Sequence, residues 1–171
     1  MQLDLTRFHQ GLNHFSRVFQ PGDVGQDGEA YRVIEPVQFD VEIHKDRERF
    51  RLAGTVRTRL ELSCSRCLEP FTLPIDSEFE LRYLPMEAEN EAADDREVSN
   101  EDLDASVYRD DQIDLNELLR EQFYLALPMK PLCRDDCAGL CPQCGTNRNT
   151  GTCACAPQWE DPRLAPLKRL K

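Results

Sequence analysis

The residues most suited to chemistry are cysteines, and they are concentrated near the C-terminal end of the chain. Six of the eight cysteines lie between Cys133 and Cys155, in the sequence CRDDCAGLCPQCGTNRNTGTCAC. The other two, Cys64 and Cys67, form a Cys-x-x-Cys pair far upstream. Four thiolates can surround a Zn²⁺ ion tetrahedrally without any histidine. The spacing therefore predicts structural zinc sites, one or two ions in all, built from cysteine alone.

Two sets of four cysteines are the favoured grouping. The first set is local and contains a zinc-knuckle turn, so little loop entropy is lost in closing it. It consists of Cys141, Cys144, Cys153 and Cys155. The second set would attach the upstream pair to the start of the cysteine-rich segment, and it consists of Cys64, Cys67, Cys133 and Cys137. Other partitions, and a single metal with spare thiols, stay open from the sequence alone.

The polar loop between Cys144 and Cys153 contains Asn147, Asn149 and Gly151. These residue types tolerate the left-handed backbone of tight turns. We therefore expect them to reverse the chain between the two halves of the local cysteine set.

Three other kinds of cysteine chemistry compete with zinc. Disulfides are typical of secreted chains with a signal peptide, whereas the chain starts MQLDLTRFHQ, where Asp4 and Arg7 interrupt any apolar run. A redox dithiol would begin a helix, and residues 68–70, which read Leu-Glu-Pro, are a poor helix start. An iron–sulfur cluster uses the same ligand atoms, so the sequence leaves it open. Zinc in a reducing cytoplasm is the expectation.

Three stretches of alternating apolar and polar residues predict an antiparallel β-meander, because alternation gives a strand one buried face. The stretches span 37–43, 50–62 and 71–83. Pairing Val41 with Phe50 would place Asp and Glu opposite arginines of the second strand. Cys64 and Cys67 fall on the connection between the second and third strands.

Two segments carry helical signals. From Leu5 to Phe19 the apolar residues recur at intervals of three and four, which predicts an amphipathic helix. A second helix should begin after Asp114, whose side chain would cap it, and end before Pro128. The predicted fold class is α+β: an antiparallel meander covered by a helix, with a small C-terminal Cys-rich zinc-binding module.

Charge is distributed unevenly along the chain. The formal net charge is −11, and residues 86–104 carry nine acids and one base, so that segment accounts for −8. Its composition predicts a disordered acidic linker. The predicted organisation is an α+β core domain over 1–127, a zinc module over 128–156 and a basic tail over 157–171. No apolar run approaches the length that spans a bilayer, so a soluble protein is expected.

A stripe of arginines on the second strand could follow an RNA backbone, since phosphates attract such a row of cations. The candidate RNA-binding residues are Arg49, Arg51, Arg57, Arg59 and Arg66, with Lys168 and Arg169 in the tail. Cross-strand pairing with carboxylates is the competing explanation for the stripe. Both explanations can hold together.

Taken jointly, these motifs resemble the YceD family, whose members are described as large ribosomal RNA subunit accumulation proteins. The resemblance is carried by CSRCLEPF at 64–71, LALP at 125–128 and GLCPQCG at 139–145. It covers most of the chain from the first strand to Cys155. It implies a cytoplasmic factor that supports synthesis, processing or stability of large-subunit (23S) ribosomal RNA, with that RNA or a pre-ribosomal particle as partner. It implies no established catalytic reaction.

Two other functions compete with this one. A zinc hydrolase acting on rRNA would keep an open coordination position and usually employ histidine or carboxylate ligands. All three histidines lie far in sequence from the cysteine cluster, which disfavours an enzyme. An adaptor that binds a ribosomal or assembly protein without touching RNA would suit the acidic balance of the chain. Neither a membrane nor a small-molecule substrate is expected.

Overall fold

The computed structural model describes residues 1–24, 30–86 and 105–155. The predicted acidic linker, apart from Met86, lies outside the described residues, as does the predicted basic tail with Lys168 and Arg169. The described part of the chain combines β-sheet with one α-helix, which confirms the α+β fold class.

Eight strands and one α-helix make up the regular structure of the described residues. In chain order they are β1 (Gln2–Asp4), β2 (Gly11–Phe19), β3 (Tyr31–Val33), β4 (Val37–Asp46), β5 (Arg49–Ser63), β6 (Pro70–Pro85), β7 (Ala105–Tyr108), β8 (Gln112–Asp114) and α1 (Leu115–Ala126). A 3-10 turn over Leu5–Arg7 follows β1, and a second over Pro21–Asp23 follows β2.

The main sheet is ordered β2-β4-β5-β6-β7, with β3 paired to the far end of β5. Its centre is the antiparallel meander of β4, β5 and β6, so that prediction is confirmed. β7 lies parallel to β6 at one edge. β1 and β8 form a separate two-stranded antiparallel sheet.

One cluster of buried side chains joins the main sheet to α1. The ring of Phe123 on the helix meets Tyr31 edge-on, with 5.5 Å between ring centroids. Within the sheet, Phe39 stacks on Phe79 at 5.8 Å. The cap of α1 is as predicted, because Asp114 Oδ1 accepts a hydrogen bond from the backbone N–H of Asn116 at 2.8 Å. The helix covers the sheet and ends shortly before the cysteine-rich segment.

The predicted N-terminal helix is wrong. Most of that segment forms β2, which pairs with β4 along its whole length, and Gly11 opens the strand at φ +93°, outside the helical region. A spacing of four fits both periods, so Phe15 and Phe19 share the inner face of a strand as readily as one side of a helix. Leu12 breaks the helical pattern, since it lies on the outer face and is 69% exposed. Long-range pairing overrides the local period.

The predicted register of the meander is also wrong. Val41 lies opposite Gly54 rather than Phe50, which pairs with Lys45. The cause is the length of β4, which continues to Asp46 and turns sharply through Arg47 at φ +56°. The arginine stripe keeps its outward direction, because a strand's side-chain period of two is unaffected by register.

Gly54 marks a close approach between β4 and β5. A Cβ atom at this position would lie 2.9 Å from the Cα atom of Val41 and would clash with the backbone oxygen of Asp40. Gly54→Ala should therefore lower the free energy of unfolding by about 1–3 kcal/mol, the usual cost of overpacking. Chemical denaturation measures this, with Gly22→Ala as the control because nothing lies within 4 Å of that position. Equal stability of the two variants would contradict the packing argument.

Candidate metal centres

The first cysteine pair lies on the turn between β5 and β6. In this turn the backbone N–H of Leu68 donates to the carbonyl of Cys64 at 2.9 Å, and the N–H of Cys64 donates to the carbonyl of Glu69 at 3.0 Å. Leu68 has a φ of +61°, a left-handed conformation that costs a branched residue energy. The turn holds Cys64 and Cys67 on the same side of the hairpin end.

The turn at Cys141 repeats this hydrogen-bond pattern. The N–H of Gly145 donates to the carbonyl of Cys141 at 2.9 Å, and the N–H of Cys141 donates to the carbonyl of Thr146 at 2.8 Å. Gly145 has a φ of +73° and takes the position that Leu68 has in the first turn. The two Cys-x-x-Cys segments are thus two copies of one knuckle, and only the second has the glycine that the backbone favours.

The structure brings the eight thiols together in two groups of four. One group is Cys64, Cys67, Cys133 and Cys137, and the other is Cys141, Cys144, Cys153 and Cys155. In each group the four sulfur atoms lie within 4.8 Å of one another. This is the grouping that the sequence favoured. That the groups bind a metal stays a prediction.

The sulfur separations fit a tetrahedral metal better than they fit disulfides. In the first group, Cys64 Sγ lies 3.8 Å from Cys137 Sγ, and Cys67 Sγ lies 3.7 Å from Cys133 Sγ. Four sulfurs placed at about 2.3 Å around a zinc ion would be about 3.8 Å apart, whereas a disulfide needs about 2.05 Å. All eight cysteines are free thiols.

Hydrogen-bond donors lower the pKa of two thiols in each group, Cys64 and Cys137 in the first and Cys141 and Cys144 in the second, and the shift is largest for Cys64 and Cys141. Burial alone would raise the pKa of Cys64, but N–H groups of Cys67, Cys133 and Arg66 donate to its sulfur and bring the pKa down to about 6. In the second group, N–H groups of Cys144 and Gln143 lower the pKa of Cys141 to about 6. Such N–H donors stabilise a thiolate, which is the form that binds metal.

Other thiols of the groups resist ionisation when no cation is close. Burial and the neighbouring sulfurs raise the pKa of Cys133 to about 12, and the Cys144 thiolate together with burial raises that of Cys155 to about 12. A divalent cation at the centre of each group would reverse this repulsion, because it favours all four thiolates together. The donor sets therefore suit a metal ion more than they suit four isolated thiols.

The cysteine-rich segment is attached to the end of the β5–β6 hairpin by backbone contacts. The N–H of Ser65 donates to the carbonyl of Pro131 at 2.9 Å, and the N–H of Leu140 donates to the carbonyl of Arg66 at 3.0 Å. The Arg66 guanidinium donates to the carbonyl of Cys137 at 2.9 Å. Arg66, predicted as an RNA contact, thus holds the segment in place.

Asn149 connects the two cysteine groups, and the sequence did not single out this role. Its side-chain oxygen accepts from the N–H of Ala138 at 2.8 Å and from Arg134 at 2.7 Å, and its amide nitrogen lies 3.4 Å from Cys137 Sγ. It belongs to the loop between Cys144 and Cys153, yet it touches the other group. The loop turns as expected over 148–150, but neither Asn147 nor Asn149 has a positive φ, so it turns without the left-handed backbone that these residue types tolerate. Their side chains hold the loop instead.

Most of the stripe arginines are paired with acids. Arg51 pairs with Glu80 at 2.9 Å and Arg57 with Asp76 at 3.0 Å on β6, while Arg59 pairs with Glu35 at 3.1 Å. These partners differ from the ones expected, because the expected ones assumed Val41 opposite Phe50 and the structure pairs Val41 with Gly54. Each is exposed, so each contributes little to stability and can exchange its partner.

Arg49 lies apart from these pairs, in a small cavity of about 110 Å³ at the same end of the sheet as Arg51 and Arg82. His44 and Asp46 also line this cavity. Arg49 and Arg51 of β5 and Arg82 of β6 therefore bring three arginines together at this end of the sheet.

Within the described residues, no helix is both long enough and apolar enough to cross a membrane. The fold and the cysteine geometry together define an α+β protein with two candidate four-thiolate centres. Residues 52–171 match the family described as "Large ribosomal RNA subunit accumulation protein YceD". The chain belongs to this family.

Three relatives illustrate how far the similarity extends. A Zea mays protein named "Large ribosomal RNA subunit accumulation protein YCED homolog 1, chloroplastic" is 30% identical over 155 residues, which cover 78% of this chain and 53% of the relative. The Arabidopsis thaliana protein of the same name is 29% identical over 169 residues, which cover 86% of this chain and 52% of the relative. An uncharacterized Mycobacterium tuberculosis protein is 29% identical over 128 residues, which cover 75% of this chain and 59% of the relative.

The chain spans about half the length of these plant relatives. No solved structure matches it. The names of the plant relatives refer to accumulation of the large ribosomal RNA subunit and state no mechanism.

Proposed function

We propose that this chain is a non-enzymatic ribosome-biogenesis factor that supports the synthesis, processing or stability of large-subunit (23S) ribosomal RNA. The observation that carries the proposal is the family match over residues 52–171. The site of action is the cytoplasm, and the partner is the large-subunit RNA or a pre-ribosomal particle. The thiolate centres shape a surface and carry out no reaction.

Structural zinc in both cysteine groups is part of this proposal. When bound, the ion would supply folding energy to a segment with little apolar area of its own. In the first group Cys64, Cys67 and Cys137 are buried, and they pack with partly buried Phe71, Leu132 and Leu140. Four thiolates complete a tetrahedral shell, which leaves no position for a substrate or a reactive water. This argues against a zinc hydrolase.

Direct contact with RNA would use the outward face of β5. The arginines at 49, 51, 57 and 59 alternate along one side of the strand, and each is exposed. A phosphate can replace a surface carboxylate as the partner of a guanidinium, because exposed ion pairs are weak. The net charge outside residues 86–104 is only −3, so the rest of the chain repels RNA weakly.

An adaptor that binds a ribosomal or assembly protein is the second candidate. The observation favouring it is that Arg51, Arg57 and Arg59 already have carboxylate partners. In that case the acidic segment at 86–104 would face a basic ribosomal protein, and contact with RNA would be indirect.

A salt titration separates the two candidates. The full chain should bind transcribed 23S RNA with a steep salt dependence, and replacing Arg49, Arg51, Arg57 and Arg59 by glutamine should reduce the slope of log K against log salt. The reduction should be about 0.7–0.9 for each arginine that contacts a phosphate. Arg7→Gln is the control, since that exposed arginine lies on the 3-10 turn after β1. No binding by the unmodified chain at low salt would favour the adaptor.

Depletion in cells tests the function itself. Removing the protein should lower the ratio of large-subunit to small-subunit rRNA, and re-expression should restore it. A Cys64→Ser chain should restore it less than a Ser65→Ala chain produced at the same level. An unchanged rRNA ratio in depleted cells would contradict the proposed function.

A further inference from the structure

Strand β2 forms one edge of the main sheet. It pairs with β4 on one side, and among the described residues no strand pairs with its other side. The strand is nine residues long, from Gly11 to Phe19. A long edge strand presents a row of unpaired N–H and C=O groups, and proteins usually shorten, charge or cover such an edge. β2 has one charged residue apart from its histidine, namely Arg17.

Two large apolar side chains of β2 face solvent on the outer face of the sheet. Leu12 is 69% exposed and Val18 is 58% exposed. They stand three residues on either side of Phe15, so they are related by symmetry about the middle of the strand. The inner face is different, because Phe15 and Phe19 pack there against Phe39.

We propose that β2 pairs in antiparallel register with β2 of a second copy of this chain, centred on Phe15, so that two main sheets join across a two-fold axis. In this register Leu12 of each copy lies opposite Val18 of the other. Both exposed apolar residues then gain a cross-strand partner of the kind that stabilises sheets. The interface is isologous, which closes the assembly at two copies.

The remaining pairs of this register are compatible as well. Arg17 lies opposite the neutral Asn13, and His14 lies opposite Ser16. Like charges directly opposite each other would destabilise the pairing, and this register contains no such pair. The side chain of Asn13 already bonds within its own chain, donating to the carbonyls of His9 at 2.7 Å and Gly11 at 3.1 Å.

Other registers lose the apolar pairing. Centring the two strands on His14 would place Leu12 opposite Ser16, and centring them on Ser16 would place Val18 opposite His14. A register centred between two residues would bring an outer-face side chain opposite an inner-face one. Only the register centred on Phe15 pairs each exposed apolar residue with another apolar residue, and both members of each pair come from the same strand sequence. This self-complementarity points to a second copy rather than to an unrelated peptide.

Charge-swap variants test the proposal with the full, metal-loaded chain in analytical ultracentrifugation. The unmodified chain should show a concentration-dependent dimer. Leu12→Lys with Val18→Lys places like charges opposite each other and should weaken the dimer at least about tenfold. Leu12→Glu with Val18→Lys places opposite charges across the axis and should recover most of the affinity. Both positions are exposed, so thermal unfolding at low concentration should be the same in all three chains.

The two double variants share their lost apolar area and differ only in charge pattern. An unmodified chain that stays monomeric at about millimolar concentration would overturn the proposal, because any pairing with a Kd of about 1 mM or lower gives abundant dimer at that concentration. Equal weakening of both double variants would also overturn it, since another register or another partner would then occupy β2. A dimer that neither variant affects would place the interface elsewhere and overturn it too.

Discussion

Replacing Cys64 by serine is expected to release the cysteine-rich segment from the sheet while the sheet itself stays folded. Cys64 is fully buried and lies 3.8 Å from Cys137 Sγ. A serine hydroxyl is not ionised at neutral pH and is a poor ligand for a soft site, so three thiolates would remain. Metal affinity at this group should fall by more than the roughly 10–100-fold that loss of an outer-shell partner causes.

Limited proteolysis of the full chain measures this release. New cleavage should appear at residues 128–133, between α1 and the first cysteine of the segment, whereas cleavage in β4–β6 should not change. Ser65→Ala is the matched control, because it changes a neighbouring exposed side chain and keeps the backbone bond to Pro131. If Cys64→Ser and Ser65→Ala give the same fragments, the group does not hold the segment on the hairpin.

Cys144→Ser is expected to damage the other group and to leave the first one loaded. Cys144 belongs to the local knuckle and lies on the exposed side of it. One metal of two should be lost, and residues 141–155 should become sensitive to protease while the contacts of Ser65 with Pro131 persist. Some loosening should reach Cys137, because Asn149 in the affected loop contacts its sulfur at 3.4 Å.

The control for this variant is Ala154→Ser, which adds the same hydroxyl between Cys153 and Cys155 without removing a thiol. Hydrogen exchange read by mass spectrometry resolves the two regions. Simultaneous loss of both metals from Cys144→Ser would show that the two groups form one unit, contrary to the separate centres proposed here.

The local group was predictable because the Cys141-x-x-Cys144 turn places two thiols together and chain entropy favours Cys153 and Cys155 nearby as their partners. The second group was predicted because the remaining four thiols are the Cys64-x-x-Cys67 pair and the pair of Cys133 with Cys137. Asn149 was missed because its contact with Cys137 depends on how two loops pack. The signal that could have found it was a cluster of three asparagine or glycine residues between two ligand pairs, which the sequence reading assigned to backbone conformation alone.

The N-terminal strand shows where periodicity fails. Phe15 and Phe19 suit a helix and a strand equally, and only Gly11 and the exposed Leu12 distinguish them. The meander was predictable because its strands are long and alternate regularly, but the register depended on a turn through Arg47 that few sequence signals mark. The alternation of residues was enough to predict that arginines of β5 form ion pairs with carboxylates on neighbouring strands. Which carboxylate each arginine meets depends on the register, so the individual partners were not predictable.

Native mass spectrometry of the full, reduced chain tests the central claim most directly. The account predicts a folded protein that carries two zinc ions, and elemental analysis should identify zinc without iron or sulfide. Removing the ions with a chelator should expose the segment after α1 to protease and leave the sheet protected. A folded chain that carries no metal and keeps residues 128–155 protected would contradict the proposal that thiolate-bound ions hold this segment in place.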